Sequence, residues 1–152
     1  MRNVQVERTV AAPRSSVWAV LADYPDIADS NDGVMKSYAL GEETQGVGAR
    51  RQCELAPKGT MQMRETVTEW VADEKMVIDI DRVEKLPIKK ATMTFTLSDR
   101  GGTTQFRMSY DFEPKGGPLA LLYGPMLDTQ LFKGFNGFVD NLEVAAQART
   151  TA

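Results

Sequence analysis

The chain has 152 residues, 42% hydrophobic and 26% charged, enough to bury a core within one globular domain. Its net charge of −3 excludes nucleic acid as a main partner, because no strong basic face exists to displace counterions from phosphates. It has no histidine and one cysteine, which excludes Ser-His-Asp and Cys-His nucleophile systems, ordinary zinc sites and an internal disulfide.

In chain order, "VQVERTV" alternates Val4, Val6 and Val10 with polar neighbours and predicts a strand, with no apolar run of signal-peptide type. Pro13 suits the first turn of a helix over "RSSVWAVLADY", which sets Val17, Leu21 and Tyr24 on one stripe with Trp18 beside it. Pro25 ends that helix. "PDIADSND" predicts a short second helix or turn that closes at Asn31-Asp32-Gly33. Six strands follow: "VMKSYAL", "ARRQCEL", "TMQMRETVTEWV", "KMVIDIDRV", "KKATMTFTLS" and "TTQFRMSYDF". The junctions at Asp73-Glu74 and Asp99–Gly102 are hairpin-like, the second with glycines able to take positive φ. Short connections of this kind favour an antiparallel meander. "EPKGGP" leads into a long terminal amphipathic helix, which must cover one apolar face of the sheet, an α+β arrangement.

Several superficial signals carry no site. "GVGARR" lacks the third glycine of a phosphate loop and precedes a strand, not a helix. "DIDRVE" has two carboxylates at metal-like spacing, but solvated strand residues explain it better. Arg50-Arg51 and Lys89-Lys90 are basic runs too short for a nucleic-acid face. The longest apolar run, Leu119–Tyr123, is far below the ~20 residues of a membrane span, so no stable membrane insertion is expected. A cytoplasmic location is the default for a chain without disulfides.

The order of elements and several local words resemble the START-like, or SRPBCC, superfamily. This is the helix-grip fold, birch-pollen-allergen-like, and the nearest likeness is to bacterial polyketide cyclase/dehydrase-type members. The matching words are "VERTVAAPRSSVWAVLADYPD" (Val6–Asp26), "GVGARRQCEL" (Gly46–Leu55), "RETVTEW" (Arg64–Trp70) and the terminal helix. The chain departs at Ile27-Ala28, where many relatives carry a tryptophan. The resemblance implies a single domain over residues 1–152: a curved seven-stranded antiparallel sheet wrapped around a long C-terminal helix, with two short helices after the first strand. It also implies a deep cavity between the two that holds lipids, sterols, polyketides, quinones or hormones in relatives.

Period-two alternation selects the inward face of each strand. Cys53 and Leu55 bring Arg51 with them, while Met61, Met63 and Val67 bring Glu65. The later strands contribute Ile78 and Ile80, then Met93, Phe95 and Leu97, then Phe106, Met108, Tyr110 and Phe112. On the helix, Leu127, Leu131, Phe135, Phe138 and Leu142 share an arc. Four of these positions are methionine, which suits either an adaptable lining or an irregular core. Arg51 and Glu65 should pair if both are inside. They would then orient a ligand's polar end with Tyr110. The alternative is a β-bulge that turns both to water.

The terminal helix holds Gly124, Pro125, Gly134 and Gly137, although glycine in a helix costs about 1 kcal/mol against alanine. Gly124-Pro125 is expected to separate a short apolar turn from the helix proper. Gly134 would leave room for a ligand or for close packing on the sheet, and Gly137 falls on the polar side. "YGPML" is expected at the cavity mouth, with "EPKGGP" and the Gly41–Gly48 loop as gates.

The expected function is non-catalytic binding of a small hydrophobic molecule, such as a lipid, isoprenoid, quinone or polyketide, with no cofactor and no metal. The protein would act as carrier or sensor, as a monomer or weak homodimer. Two alternatives stay open. One is an aromatase/cyclase in which Arg51 or Tyr110 polarises a carbonyl and Glu65 manages protons. The other is a protein-binding module like the quinone-binding and ribosome-associated members, against which the lack of a basic patch counts.

Overall fold

A computed structural model describes residues 1–151. Seven strands form one antiparallel sheet in the order β1-β7-β6-β5-β4-β3-β2. They are β1 (Arg2–Val10), β2 (Val34–Ala39), β3 (Arg50–Leu55), β4 (Met61–Val71), β5 (Lys75–Glu84), β6 (Ile88–Asp99) and β7 (Thr104–Pro114). Helix α1 (Arg14–Ala22) and a 3-10 segment (Tyr24–Asp29) link β1 on one edge to β2 on the other. Helix α2 (Ala120–Thr151) closes the concave side. The architecture is the expected α+β helix-grip arrangement.

Local chemistry accounts for the junctions. Pro13 is the residue just before α1, with φ −61° and ψ 150°, one position earlier than the sequence suggested. Gly101 and Gly102 take positive φ in the β6–β7 hairpin, which Arg100 N–H closes on the Thr103 carbonyl at 2.8 Å. The β1–β7 ladder is unbroken from Arg2 opposite Phe112 to Val10 opposite Thr104.

The alternation is interrupted in the middle of the sheet. The β4–β5 pairing shifts between Arg64 and Glu65 and again between Val67 and Glu69. On β5 the buried series Met76, Ile78, Ile80 therefore resumes at Val83, while on β4 Trp70 turns inward beyond Thr68. There it meets Trp18 of α1 edge-on, centroids 5.2 Å apart. Bulges of this kind sharpen the local twist and help the sheet curl around its helix.

Helix α2 packs closely on β1 and α1 and stands away from β3–β6. A seam of polar contacts fixes it to β1. Arg2 grips Asp128 through two bonds (Nε–Oδ1 3.0 Å, Nη2–Oδ2 2.6 Å), and Arg8 Nη2 reaches Asp140 Oδ1 at 2.6 Å. Further along, Glu143 Oε2 accepts from Ala11 N–H at 2.8 Å, and Gln147 Nε2 donates to the Ala11 carbonyl at 3.2 Å.

Helix α2 corrects one expectation. It begins at Ala120, led in by a 3-10 turn at Gly117–Leu119, so Pro125 lies inside the helix and does not mark its start. The carbonyl that Pro125 cannot satisfy belongs to Leu121, which is 77% exposed, so water can take it. Gly124 has its own cause: a Cβ there would stand 2.7 Å from Arg2 Nη1, so its absence lets the guanidinium lie against the helix.

Gly137 is exposed, and nothing lies within 4 Å of where its Cβ would be. Gly137→Ala should stabilise the helix by about 0.5–1 kcal/mol and raise Tm by roughly 2–4 °C. A thermal melt with unchanged or lower Tm would contradict this placement.

Candidate functional site: a cavity beneath the first half of α2

The two halves of α2 do different things. Val139, Leu142 and Ala146 are buried in a packed core with Val10, Val17 and Leu21. Leu127, Gln130, Leu131, Gly134, Phe135 and Phe138 instead face a cavity of about 530 Å3. Two ring contacts between helix and sheet stand beside this space. Phe138 stacks on Phe95 (5.7 Å, 4°), and Phe135 meets Tyr110 edge-on (5.0 Å, 66°). Such pairs are worth about 0.5–1.5 kcal/mol beyond area burial and are stiff spacers.

The residues selected from alternation mostly line this cavity. Arg51, Cys53, Met61, Met63, Glu65, Ile78, Ile80, Met93, Phe95, Met108 and Tyr110 face it from the sheet, and Leu127, Leu131, Phe135 and Phe138 from the helix. Val67, Phe106 and Phe112 do not; they are fully packed core. Val67 is covered at the α1 end, where its backbone bonds Gly48 and Ala49. Phe106 is stacked behind Phe95, and the Tyr110 ring packs against Phe112. All four methionines of the predicted set lie on the lining, so here they border empty space. Gly134 lines it too, and a Cβ there would meet nothing within 4 Å, which removes the close-packing explanation.

Alternation could not find the lining contributed by loops. Ile27, Asn31 and Gly33 come from the segment before β2, Ala56 from the β3–β4 turn, and Leu86 and Pro87 from the β5–β6 turn, with Val34 and Ile88 at the strand starts beside them. The apolar Leu86-Pro87 in an otherwise charged turn was the one available signal. Asn31 is 5% exposed and ties this segment to the helix, its Nδ2 donating to the Phe138 carbonyl at 3.3 Å. No residue of the Gly41–Gly48 loop or of "EPKGGP" lines the cavity. The former lies at the packed end, where Gln45 bonds the Ala22 carbonyl of α1.

One polar cluster interrupts the apolar wall. Arg51 and Glu65 sit directly opposite each other on β3 and β4, 7% and 5% exposed. The bulge beside Glu65 lies on its β5 side and leaves it facing inward. Arg51 Nε donates to Glu65 Oε2 at 2.8 Å, Nη2 lies 2.6 Å from the same oxygen in the ion pair, and Nη1 donates to the Tyr24 carbonyl at 2.9 Å. The guanidinium also lies over the Tyr24 ring, 4.0 Å from its centroid. Burial pulls the Arg51 pKa down, but Glu65, Cys53 and Tyr24 together push it upward, so the cation persists. The Tyr24 hydroxyl is the one buried side-chain polar atom without a partner among the described residues.

Cys53, Tyr24 and Tyr110 are all pushed up. Burial is the largest cause for Cys53, which moves from 9.0 to about 12, with the Glu65 charge adding and Arg51 opposing. Burial also leads for Tyr24, opposed by Arg51, and for Tyr110, reinforced by Glu65; both start from 10.0. Among the described residues no group of three or more His, Cys, Asp or Glu is placed to hold a metal ion, and no helix is long and apolar enough to cross a membrane.

Two outcomes follow. The three acids hold their protons more tightly folded than unfolded, so their contribution is complete below about pH 9 and is lost as pH rises toward about 12. Tm should therefore fall progressively above about pH 9, and a flat Tm to pH ~11 would contradict this. Tyr24→Phe keeps the ring under the guanidinium and deletes an unsatisfied hydroxyl, so Tm should hold or rise by a few degrees. A clear drop would show that the hydroxyl has a partner.

Comparison with known proteins agrees with this geometry. A protein from Thermus thermophilus is similar in structure with a TM-score of 0.81 at 15% identity, covering 97% of this chain and 99% of that one. The Zhui aromatase/cyclase from a Streptomyces species is similar at TM-score 0.79 and 20% identity (98% and 95% covered). A START superfamily protein from Mycobacterium smegmatis is similar at TM-score 0.79 and 14% identity (96% and 97% covered). At these identities the likeness is one of fold. No curated protein sequence matches the chain. The family described as "Polyketide cyclase / dehydrase and lipid transport" matches residues 1–147. This chain belongs to that family.

Proposed function

We propose that the protein binds a small hydrophobic molecule in the cavity beneath α2 and acts as its carrier or sensor. The observation that carries this reading is the cavity itself: about 530 Å3 lined by methionine, aliphatic and aromatic side chains around one polar cluster. That size lies within the range of roughly 300–1,000 Å3 that suits small-molecule ligands. Apolar surface moved into it gains about 25 cal/mol per Å2 before the costs of association. The family's description includes lipid transport, which supports the same reading.

The rival reading is cyclisation of a poly-β-keto chain, suggested by the other half of that description and by the named activity of the Streptomyces protein. It asks for a guanidinium free to polarise a carbonyl and a group ready to move protons. Arg51 is already engaged through all three of its nitrogens, and burial pushes Cys53 and Tyr110 up, so both hold their protons firmly at neutral pH. These features favour binding over turnover.

Native mass spectrometry of the purified protein, with solvent extraction of whatever accompanies it, tests the reading. Gly134→Leu is the informative variant, because it adds a side chain to the cavity lining from an unobstructed position on the helix, whereas the ion pair stands on the sheet. The wild type should carry an extractable hydrophobic adduct, or gain several degrees of Tm with long-chain alcohols or quinones. Gly134→Leu should lose most of this while remaining folded by circular dichroism. Equal binding by the variant, or no binding by the wild type, would sink the proposal.

A further inference from the structure

The polar end of the cavity is charge-balanced before any ligand enters. Arg51 points two nitrogens at Glu65 and the third at the Tyr24 carbonyl, and Tyr24 covers one face of its guanidinium. Three of the five N–H groups of the guanidinium are so directed, and its charge is already matched by Glu65, anchored in the strand directly opposite. An anionic headgroup would therefore meet a cation that is already paired, with a carboxylate beside it.

Glu65 itself is only half used. The Nε hydrogen bond and the closest ion-pair contact of Arg51 both end on Oε2, and no hydrogen bond to Oε1 is formed among the described residues. Oε1 is also not one of the sealed, partnerless atoms, since the Tyr24 hydroxyl alone has that status. It therefore opens on the cavity that Glu65 lines. The Tyr110 hydroxyl is in the same position: its residue lines the cavity, it forms no hydrogen bond among the described residues, and it lies within the field of Glu65. The unfilled needs of the site are thus a carboxylate oxygen wanting a donor and a phenol able to give or accept.

We propose that the cavity selects an uncharged amphiphile whose polar end is a hydroxyl (alcohol, phenol or enol) that donates to Glu65 Oε1 with Tyr110 as its second partner. Carboxylate-headed ligands of the same length are rejected. This rests on the ligand-binding reading above. The discrimination has two physical sources. An entering carboxylate would place a second negative charge beside Glu65 in a water-poor space, and it would leave Oε1 without a donor. A hydroxyl satisfies Oε1 through a charge-assisted bond and adds no charge.

Three twelve-carbon probes separate these effects by isothermal titration at pH 8, where the acid is ionised: dodecan-1-ol, its methyl ether and dodecanoate. For the wild type, dodecan-1-ol should bind at least tenfold tighter than dodecanoate and severalfold tighter than the ether, which accepts but cannot donate. Glu65→Gln leaves the Arg51 cation unpaired, so the order should invert, dodecanoate binding tighter than dodecan-1-ol. Should that variant fail to fold, the wild-type ranking alone decides. Dodecanoate binding the wild type as tightly as dodecan-1-ol overturns the inference and leaves the ligand cavity standing. Failure of all three probes to bind removes the cavity reading and this inference together.

Discussion

The polar seam between β1 and α2 is the constraint on which the rest of the structure depends. Arg2, Arg8 and the Ala11 backbone take hold of Asp128, Asp140, Glu143 and Gln147, so one side of the helix is tied to an edge strand along much of its length. A helix fixed at that edge cannot also settle into the curve of a seven-stranded sheet. Where α1 fills the difference, Val139, Leu142 and Ala146 find partners and the core is solid. Where nothing fills it, under Leu127 to Phe138, the difference remains as a cavity. Its cost in unformed dispersion contacts is set against the aromatic pairs Phe95–Phe138 and Tyr110–Phe135, which hold the two walls apart at ring-contact distance.

The ion pair inside that cavity is poor evidence for stability. Two charges taken from water regain their solvation only through excellent geometry, and apolar replacements of equal shape often serve a fold as well or better. The pair here has short contacts, a further hydrogen bond to the Tyr24 carbonyl and a ring beneath the cation, yet Glu65 keeps an oxygen turned to the cavity. A purely structural pair would be expected to satisfy both oxygens. Incomplete satisfaction next to an apolar space is what a ligand contact requires.

Much of this was legible in the sequence, and the exceptions have physical causes. Alternation placed the β strands and brought Arg51 and Glu65 to one face, because a strand that buries one side repeats every second residue. It failed where pairing slips: the residue skipped between Ile80 and Val83 and the inward turn of Trp70 come from bulges that no local pattern announces. It also cannot see walls made by turns, so Asn31 and Leu86-Pro87 were missed. Val67, Phe106 and Phe112 have the same periodicity as true lining residues. Only the position of the helix and its neighbours separates a packed inward residue from one that borders a void.

The glycines of α2 show how far that separation goes. All carry the same intrinsic penalty, yet each meets a different environment. At Gly124 the missing side chain is replaced by the Arg2 guanidinium, so the residue belongs to the seam. At Gly134 it is replaced by nothing, and the vacancy adjoins the cavity. At Gly137 the position is equally open but off the cavity, and neither packing nor lining accounts for it. The seam glycine and the cavity glycine are nevertheless coupled. Arg2 can reach Asp128 because residue 124 has no side chain, and that grip helps hold the first half of the helix where Gly134 faces open space instead of the sheet. One residue type thus serves opposite ends, close approach at the tether and absence at the void, and both are needed for a helix that closes a cavity without filling it.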